Sequence, residues 1–277
     1  MPKKSTSISP TAHYTGQVWV RHGLSDERLA TWWGYLFFHS MQPIMKLSEN
    51  LGGPKLEHFL LARHQIIDAL LEKAIESGEV TQVIECAAGL SPRGLRFAQK
   101  YGNKITYIEA DLPDMATLKR AKLKKSLNEH HRVEAFNVLE EEGPLSLAVL
   151  AKSLKPKKRL VIITEGLINY FDRPTVEIIW EIFGKTLSQF SKGILLSDIH
   201  MKSTRHPGLV KVFMTGLSIF VKGRVFQHFK KDSEVKEVLK KSGFSKTTVH
   251  HPIDWSKQFP ECAQTGADFV RVIEARV

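Results

Sequence analysis

A chain of 277 residues with 42% hydrophobic and 25% charged side chains can bury one complete core and is too ordinary in composition for a disordered or fibrous protein. Its formal charge of +11 would suit nucleic acid, an anionic membrane surface or an acidic small substrate, and composition does not choose among them. Cys86 and Cys262 stand far apart without metal-ligand spacing, so no disulfide framework can be built from them, and a reducing, cytoplasmic setting fits best.

In chain order, the first ten residues lack the apolar run of a signal peptide, and no segment approaches a membrane span. An aromatic segment follows, with Trp19, Trp32, Trp33, Tyr35, Phe37 and Phe38, which reads as a cap or pocket wall. Leu56 to Glu76 carries Phe59, Leu60, Ile66, Ile67, Leu70 and Leu71 at helical spacing and predicts a long helix. From Val80 onward, β-rich runs alternate with helical patterns, the signature of βαβ units on a parallel sheet. Strands are predicted at Val80–Glu85, Lys104–Glu109, Val133–Phe136, Arg159–Thr164 and Gly193–Asp198. Helices are predicted between them at Pro92–Tyr101, Pro113–Asn128, Leu145–Leu154 and Pro174–Phe190. The last third predicts helices at Leu209–Val221 and Ser233–Ser242, then strands at Lys246–His250 and Phe269–Glu274 that could pair as an antiparallel edge.

The chemistry concentrates in Val83-Ile84-Glu85-Cys86-Ala87-Ala88-Gly89-Leu90-Ser91-Pro92-Arg93-Gly94. An apolar strand ends in an acidic residue, the chain turns over small residues, and a helix starts with Ser91 as N-cap and Pro92 at its first position. Ala87, Ala88 and Gly89 leave room for a ligand against bare backbone, at the sheet edge where open α/β folds bind cofactors. Gly89 and Gly94 do not fit Gly-x-Gly-x-x-Gly, which argues against a dinucleotide pyrophosphate cradle. Glu109 and Asp111 follow at the interval where such folds place a carboxylate on a ribose diol, though surface acidity is an alternative for Asp111. No metal site is expected: the histidines are scattered, and the pairs His130-His131 and His250-His251 do not share a helix face.

Four separated motifs in order carry a resemblance. Arg63 in Leu61-Ala62-Arg63-His64-Gln65-Ile66-Ile67-Asp68, the Glu85–Gly94 turn, Tyr107-Ile108-Glu109-Ala110-Asp111-Leu112-Pro113 with Lys119 beyond, and Thr164-Glu165-Gly166-Leu167-Ile168-Asn169-Tyr170 together resemble the leucine carboxyl methyltransferase family, whose bacterial members include polyketide O-methyltransferases. The resemblance spans roughly Ile8 to Asp198. It implies a doubly wound, mostly parallel, seven-stranded α/β sheet of the Rossmann-like class I methyltransferase type, with S-adenosylmethionine as cofactor. On that reading residues 1–277 form one domain: an N-terminal helical cap (1–78), a cofactor core (79–200), a lid (201–243) and C-terminal strands (244–277).

Carried over by position, the resemblance implies Arg63 on the methionyl carboxylate, Gly89 along the methionyl chain, Glu109 or Asp111 on the ribose, Asn137 and Val138 at the adenine, and Glu165 on the methionyl amine, with Glu85 and Ala87 framing the turn. Two positions depart from the family's pattern, Ser91 and Asn137, where aspartate is frequent. A carboxylate acceptor would need no base; for a phenol or alcohol, Tyr170, Asp198 and His200 are the candidates because they follow strands at the active edge. The basic and apolar run from Met201 to Lys231 reads as a lid that favours a small, anionic, partly hydrophobic acceptor rather than nucleic acid. The expected activity is therefore O-methylation of a small-molecule carboxylate or hydroxyl. Its rivals are a tRNA- or protein-directed methyltransferase and a non-catalytic adenosyl-binding module.

Overall fold

The computed structural model describes residues 10–50, 55–202 and 225–277. Seven strands form one sheet in the order β3-β2-β1-β4-β5-β7-β6: β1 (Gln82–Cys86), β2 (Thr106–Asp111), β3 (His131–Ala135), β4 (Leu160–Thr164), β5 (Gly193–His200), β6 (Lys246–His250) and β7 (Val270–Arg276). The first five are parallel, and β7 runs antiparallel between β5 and β6. The expected class of fold is thus present, and the expected antiparallel pair is joined to β5 through β7.

Both faces of the central strands are buried, as parallel sheets require. Ile84, Ile108, Ile162 and Leu195 face one layer, where α7 (Arg173–Leu187) brings Trp180 and Phe183 and α8 (Asp232–Lys241) brings Val235 and Leu239. Val83, Tyr107, Val161 and Leu196 face the other, where α3 (Leu56–Glu76) brings Ile66, Ile67 and Leu71 and α4 (Arg93–Tyr101) brings Phe97. The remaining helices are α1 (Pro10–Arg21), α2 (Trp32–Asn50), α5 (Pro113–Leu123) and α6 (Leu147–Lys152). α1 and α2 pack over α3 through Tyr14, Val18, Phe38, Leu56 and Phe59. Their close approach requires Gly34, since a Cβ there would lie 2.6 Å from the His13 carbonyl oxygen.

Two strand boundaries differ from expectation in ways that matter for the site. β2 continues to Asp111, because its pairing with β3 runs on to Ala135, so Glu109 lies inside the strand. β5 continues to His200, because β7 pairs with it as far as Val270, so Asp198 and His200 are strand residues. The helix expected over Leu209–Val221, and most of the expected lid, fall outside the described residues. No helix among the described residues is long and apolar enough to cross a membrane.

Candidate functional site

β1 delivers Glu85 to the C-terminal edge of the sheet, and the chain then turns with both Ala87 (φ 53°) and Gly89 (φ 47°) in the left-handed region. An alanine in that region costs about 1–2 kcal/mol, so the surrounding structure must hold it there. It does so through two amide donors. The Ala88 N–H donates to the Ala110 carbonyl (3.1 Å), and the Gly89 N–H donates to Asp111 Oδ2 (2.6 Å). Asp111 ends β2 and also accepts from the Leu112 N–H (2.7 Å). Burial pushes its carboxyl up, against the pull of those two donors.

The turn forms one wall of a cavity of about 530 Å³, with Asp111, Leu112, Pro113, Asp114 and Met115 beside it. α1 contributes Thr11, Ala12, Thr15 and Trp19, α3 contributes Arg63, and the segment after β4 contributes Glu165, Gly166, Leu167 and Tyr170. Among the described residues, one arginine and four carboxylates, Glu85, Asp111, Asp114 and Glu165, are the charged lining residues, an acidic wall in a chain of charge +11.

Behind the wall lies a buried ionic network. Arg63 Nε donates to Glu165 Oε1 (3.2 Å) and its Nη1 to Asp198 Oδ2 (3.0 Å). Arg93, fully buried, donates to Glu165 Oε2 (2.5 Å), Glu85 Oε1 (2.6 Å) and Asp68 Oδ1 (2.5 Å). His64 Nδ1 meets Glu165 Oε2 at 2.9 Å, and the Tyr107 hydroxyl donates to Glu85 Oε2 (2.7 Å). Burial alone would raise the Glu165 carboxyl, but His64, Arg93 and Arg63 hold it below the usual carboxylate range. Gly166, with φ 69°, donates its N–H to Asp198 Oδ1 (2.6 Å). A Cβ at Gly166 would stand 2.9 Å from Arg63 Nη2, so the glycine lets the guanidinium lie against the backbone.

Of the expected cofactor residues, Arg63, Glu85, Ala87, Gly89, Asp111 and Glu165 come together on this cavity. Glu109 does not line it. Its side chain lies with Tyr107 beneath α4, where its carboxylate pairs with His131 Nε2 (2.7 Å) and Lys119, all three fully or almost fully buried. Lys119 also donates to the Ala88 carbonyl (3.4 Å), so this triad braces the turn from below. Asn137 and Val138 are not lining residues either: the Asn137 side-chain oxygen accepts from the Leu139 N–H (3.1 Å), and Val138 packs on the core.

Among the proton-transfer candidates, Tyr170 lines the cavity, with its hydroxyl 3.4 Å from Thr11 Oγ1. Asp198 is turned to Arg63 and Gly166 and does not reach the cavity. His200 is buried with its ring edge-on to Phe59, at 5.3 Å between centroids, and burial followed by the Arg63 charge pushes its pKa down to about 3. Both fail as cavity residues for the same reason, the extension of β5. Among the described residues no cluster of three His, Cys, Asp or Glu side chains is placed to hold a metal ion.

The sequence reading missed Arg93, His64 and Asp68, and the α1 wall. A signal for Arg93 was present: it opens α4, where the helix dipole disfavours a cation unless carboxylates meet it. No comparable signal marks His64, which is one of several histidines on amphipathic helices.

The leucine carboxyl methyltransferase family model matches residues 24–182. A Frankia alni protein described as an S-adenosyl-L-methionine-dependent methyltransferase is 32% identical over 111 residues, a match covering 40% of this chain and 38% of that protein's length. A DUF574 family protein from Streptomyces avermitilis shares the fold with a TM-score of 0.68 at 12% identity, over 98% of each chain. A methyltransferase-type structure from Thermobifida fusca has a TM-score of 0.64 at 12% identity, covering 96% of this chain and 97% of that one. With more than half of its length matched by the family model, the chain belongs to the leucine carboxyl methyltransferase family, whose cofactor is S-adenosylmethionine.

Proposed function

We propose that this chain is an S-adenosylmethionine-dependent O-methyltransferase acting on a small-molecule carboxylate. The observation that carries the cofactor part of this reading is the charge of the cavity, where the described residues contribute four carboxylates and a single, doubly clamped arginine at the C-terminal edge of β1, β2 and β4. A diphosphate would be repelled there; an aminoacyl sulfonium with one carboxylate and two cationic centres is complementary to it. Arg63 would take the carboxylate, Glu165 the ammonium and Asp111 the ribose hydroxyls, while the bare backbone at Ala87–Gly89 admits close approach. When bound, the cofactor supplies a methyl group already activated as an electrophile on sulfur.

The chain's own task is then to orient and to exclude water. Glu165 is kept ionised by Arg93, Arg63 and its contact with His64, and the Arg63 fork is fixed before any ligand arrives, so little order remains to be imposed on binding. With Asp198 and His200 outside the cavity and Tyr170 the one hydroxyl of the three candidates inside it, an acceptor that needs no proton removed suits the site best. A carboxylate is such an acceptor.

Calorimetric titration with S-adenosylmethionine and, separately, NAD tests the cofactor reading. Micromolar binding of the sulfonium alone is expected, weakened about tenfold or more by Arg63→Lys and by Asp111→Asn, since charge-assisted hydrogen bonds contribute about 1.5–3 kcal/mol. Thermal melts run in parallel separate lost affinity from lost fold. Transfer of labelled methyl to a panel of carboxylic acids, released as methanol in mild alkali, tests the acceptor. Alkali-stable label would sink the ester reading, and binding without turnover on any acceptor would leave a cofactor-binding module.

A further inference from the structure

α2 is apolar on two sides. Its inner side, with Gly34, Phe38 and Met45, is buried against the rest of the cap. Its outer side presents Trp32, Trp33, Tyr35, Leu36 and Leu47, which are 43% to 70% exposed and make up five of the eleven large exposed apolar side chains among the described residues. At 100° per residue, positions 32, 36, 43 and 47 fall on one stripe, with Trp33 and Tyr35 flanking it. An apolar helix surface of this extent marks an interaction site rather than scattered surface hydrophobicity.

Cations border the stripe at both ends. At the start, Lys122 of α5 donates to the carbonyls of Arg28 (3.1 Å) and Ala30 (2.8 Å), which brings the exposed Lys124 and Lys125 beside the entry to α2. Toward the end, Lys46 is exposed, and with Arg21, His22 and Lys55 it lines a cavity of about 240 Å³. Of the nearby carboxylates, Asp26 is bound by Arg28 (2.8 Å), and Glu57 is held by His22 (3.0 Å) and Gln42 (3.2 Å). Among the described residues, the exposed Glu27 and Glu129 are left near Lys46, Lys124 and Lys125, so the cations outnumber them.

This combination selects the partner. A second copy of the chain would bring the same lysines face to face in a protein of charge +11. Stacking of unpaired bases needs free ring faces, but Trp32 already stacks on Tyr35 (6.1 Å, 19°) and Trp33 on Phe37 (5.8 Å, 24°), and two of the stripe's members are leucines. Tryptophan, tyrosine and leucine rimmed by lysine match the interface of a bilayer with anionic headgroups. We infer that the outer face of α2 docks on an anionic lipid surface, with Trp32, Trp33, Leu36 and Leu47 at the acyl boundary and Lys46, Lys124 and Lys125 among the headgroups.

Flotation of the full chain with phosphatidylcholine vesicles, with and without a quarter of phosphatidylglycerol, reads this directly. Binding is expected to the anionic vesicles only, to fall with added salt, and to come with quenching of tryptophan emission by brominated acyl chains. Lys124→Gln with Lys125→Gln should weaken partitioning about thirtyfold at low salt, at about 1 kcal/mol per lysine near the surface. Trp32→Ser with Trp33→Ser should abolish the quenching, while both double variants still bind S-adenosylmethionine as the parent does. Failure to float with anionic vesicles, or equal binding to neutral ones, would overturn the inference. So would a dimer in sedimentation equilibrium that the tryptophan variant splits, or binding to a single-stranded RNA probe in place of vesicles.

Discussion

Arg93 and Arg96 are three residues apart on α4, both contact Asp68, and differ in what surrounds them. Arg93 is fully buried and divided among Glu85, Glu165 and Asp68, whereas the Arg96 side chain is 40% exposed and meets Asp68 alone. Burial opposes the Arg93 charge, and the three carboxylates more than restore it. Removing one partner from a buried ion network leaves the others desolvated and uncompensated, at a cost of about 3–5 kcal/mol. Arg93→Met should therefore lower the urea-unfolding free energy by about that amount, and Arg96→Met by less than about 1 kcal/mol, as for other exposed pairs. In whatever fraction of Arg93→Met remains folded, cofactor affinity should also fall, because Glu165 and Glu85 lose the cation that fixes both across the sheet. Equal losses in the two variants would show that Arg93 is no more than a surface-type contact.

At the scale of elements, the first turn of α4 rests on β2 through a contact only glycine allows. A Cβ on Gly94 would fall 2.3 Å from the Glu109 carboxyl carbon, and Glu109 cannot retreat without leaving Lys119 and His131. Gly94→Ala should cost about 1–3 kcal/mol, the usual penalty of overpacking, and Glu109→Ala, which removes the atoms the new methyl would strike, should relieve part of that penalty in the double variant. Simple additivity of the two melting shifts would argue that Glu109 is not what Gly94 accommodates. The same contact shows which parts of the site could be read from sequence. Apolar period and turn residues placed all seven strands, and the small residues at Ala87–Gly89 marked the cavity wall. Strand ends were less legible, because each is set by its neighbour: β3 carries β2 on to Asp111, and β7 carries β5 on to His200. That is why Glu109 and Asp198, both carboxylates near a strand end in sequence, became buried partners of Lys119 and Arg63 rather than cavity residues. Period-2 alternation puts Glu109 and Asp111 on one side of β2, and only the three-dimensional position of α4 decides which of them is covered.

Over the whole molecule, protons bound on acidification should act against the fold. His200 has its Nε2 buried without a partner among the described residues, and its pKa near 3 in the folded chain lies below the ordinary 6.5; burial also lowers His13 and His228. Between pH 6.5 and 3 the unfolded chain therefore binds a proton at His200 that the folded chain refuses, and stability must fall as the pH falls through that window. Each unit below 6.5 costs up to about 1.4 kcal/mol for that one residue, and the added positive charge accumulates on a chain already at +11. His200→Leu keeps an apolar contact for Phe59 and cannot take the proton. Urea unfolding of both proteins at pH 7.5, 6.5, 5.5 and 4.5 should give curves that lie close at the top of the range and separate below pH 6.5, with the parent losing more stability at each step. Parallel curves would mean that His200 protonates equally in the folded and unfolded chain, and that its burial against Phe59 and Arg63 does not exclude the proton.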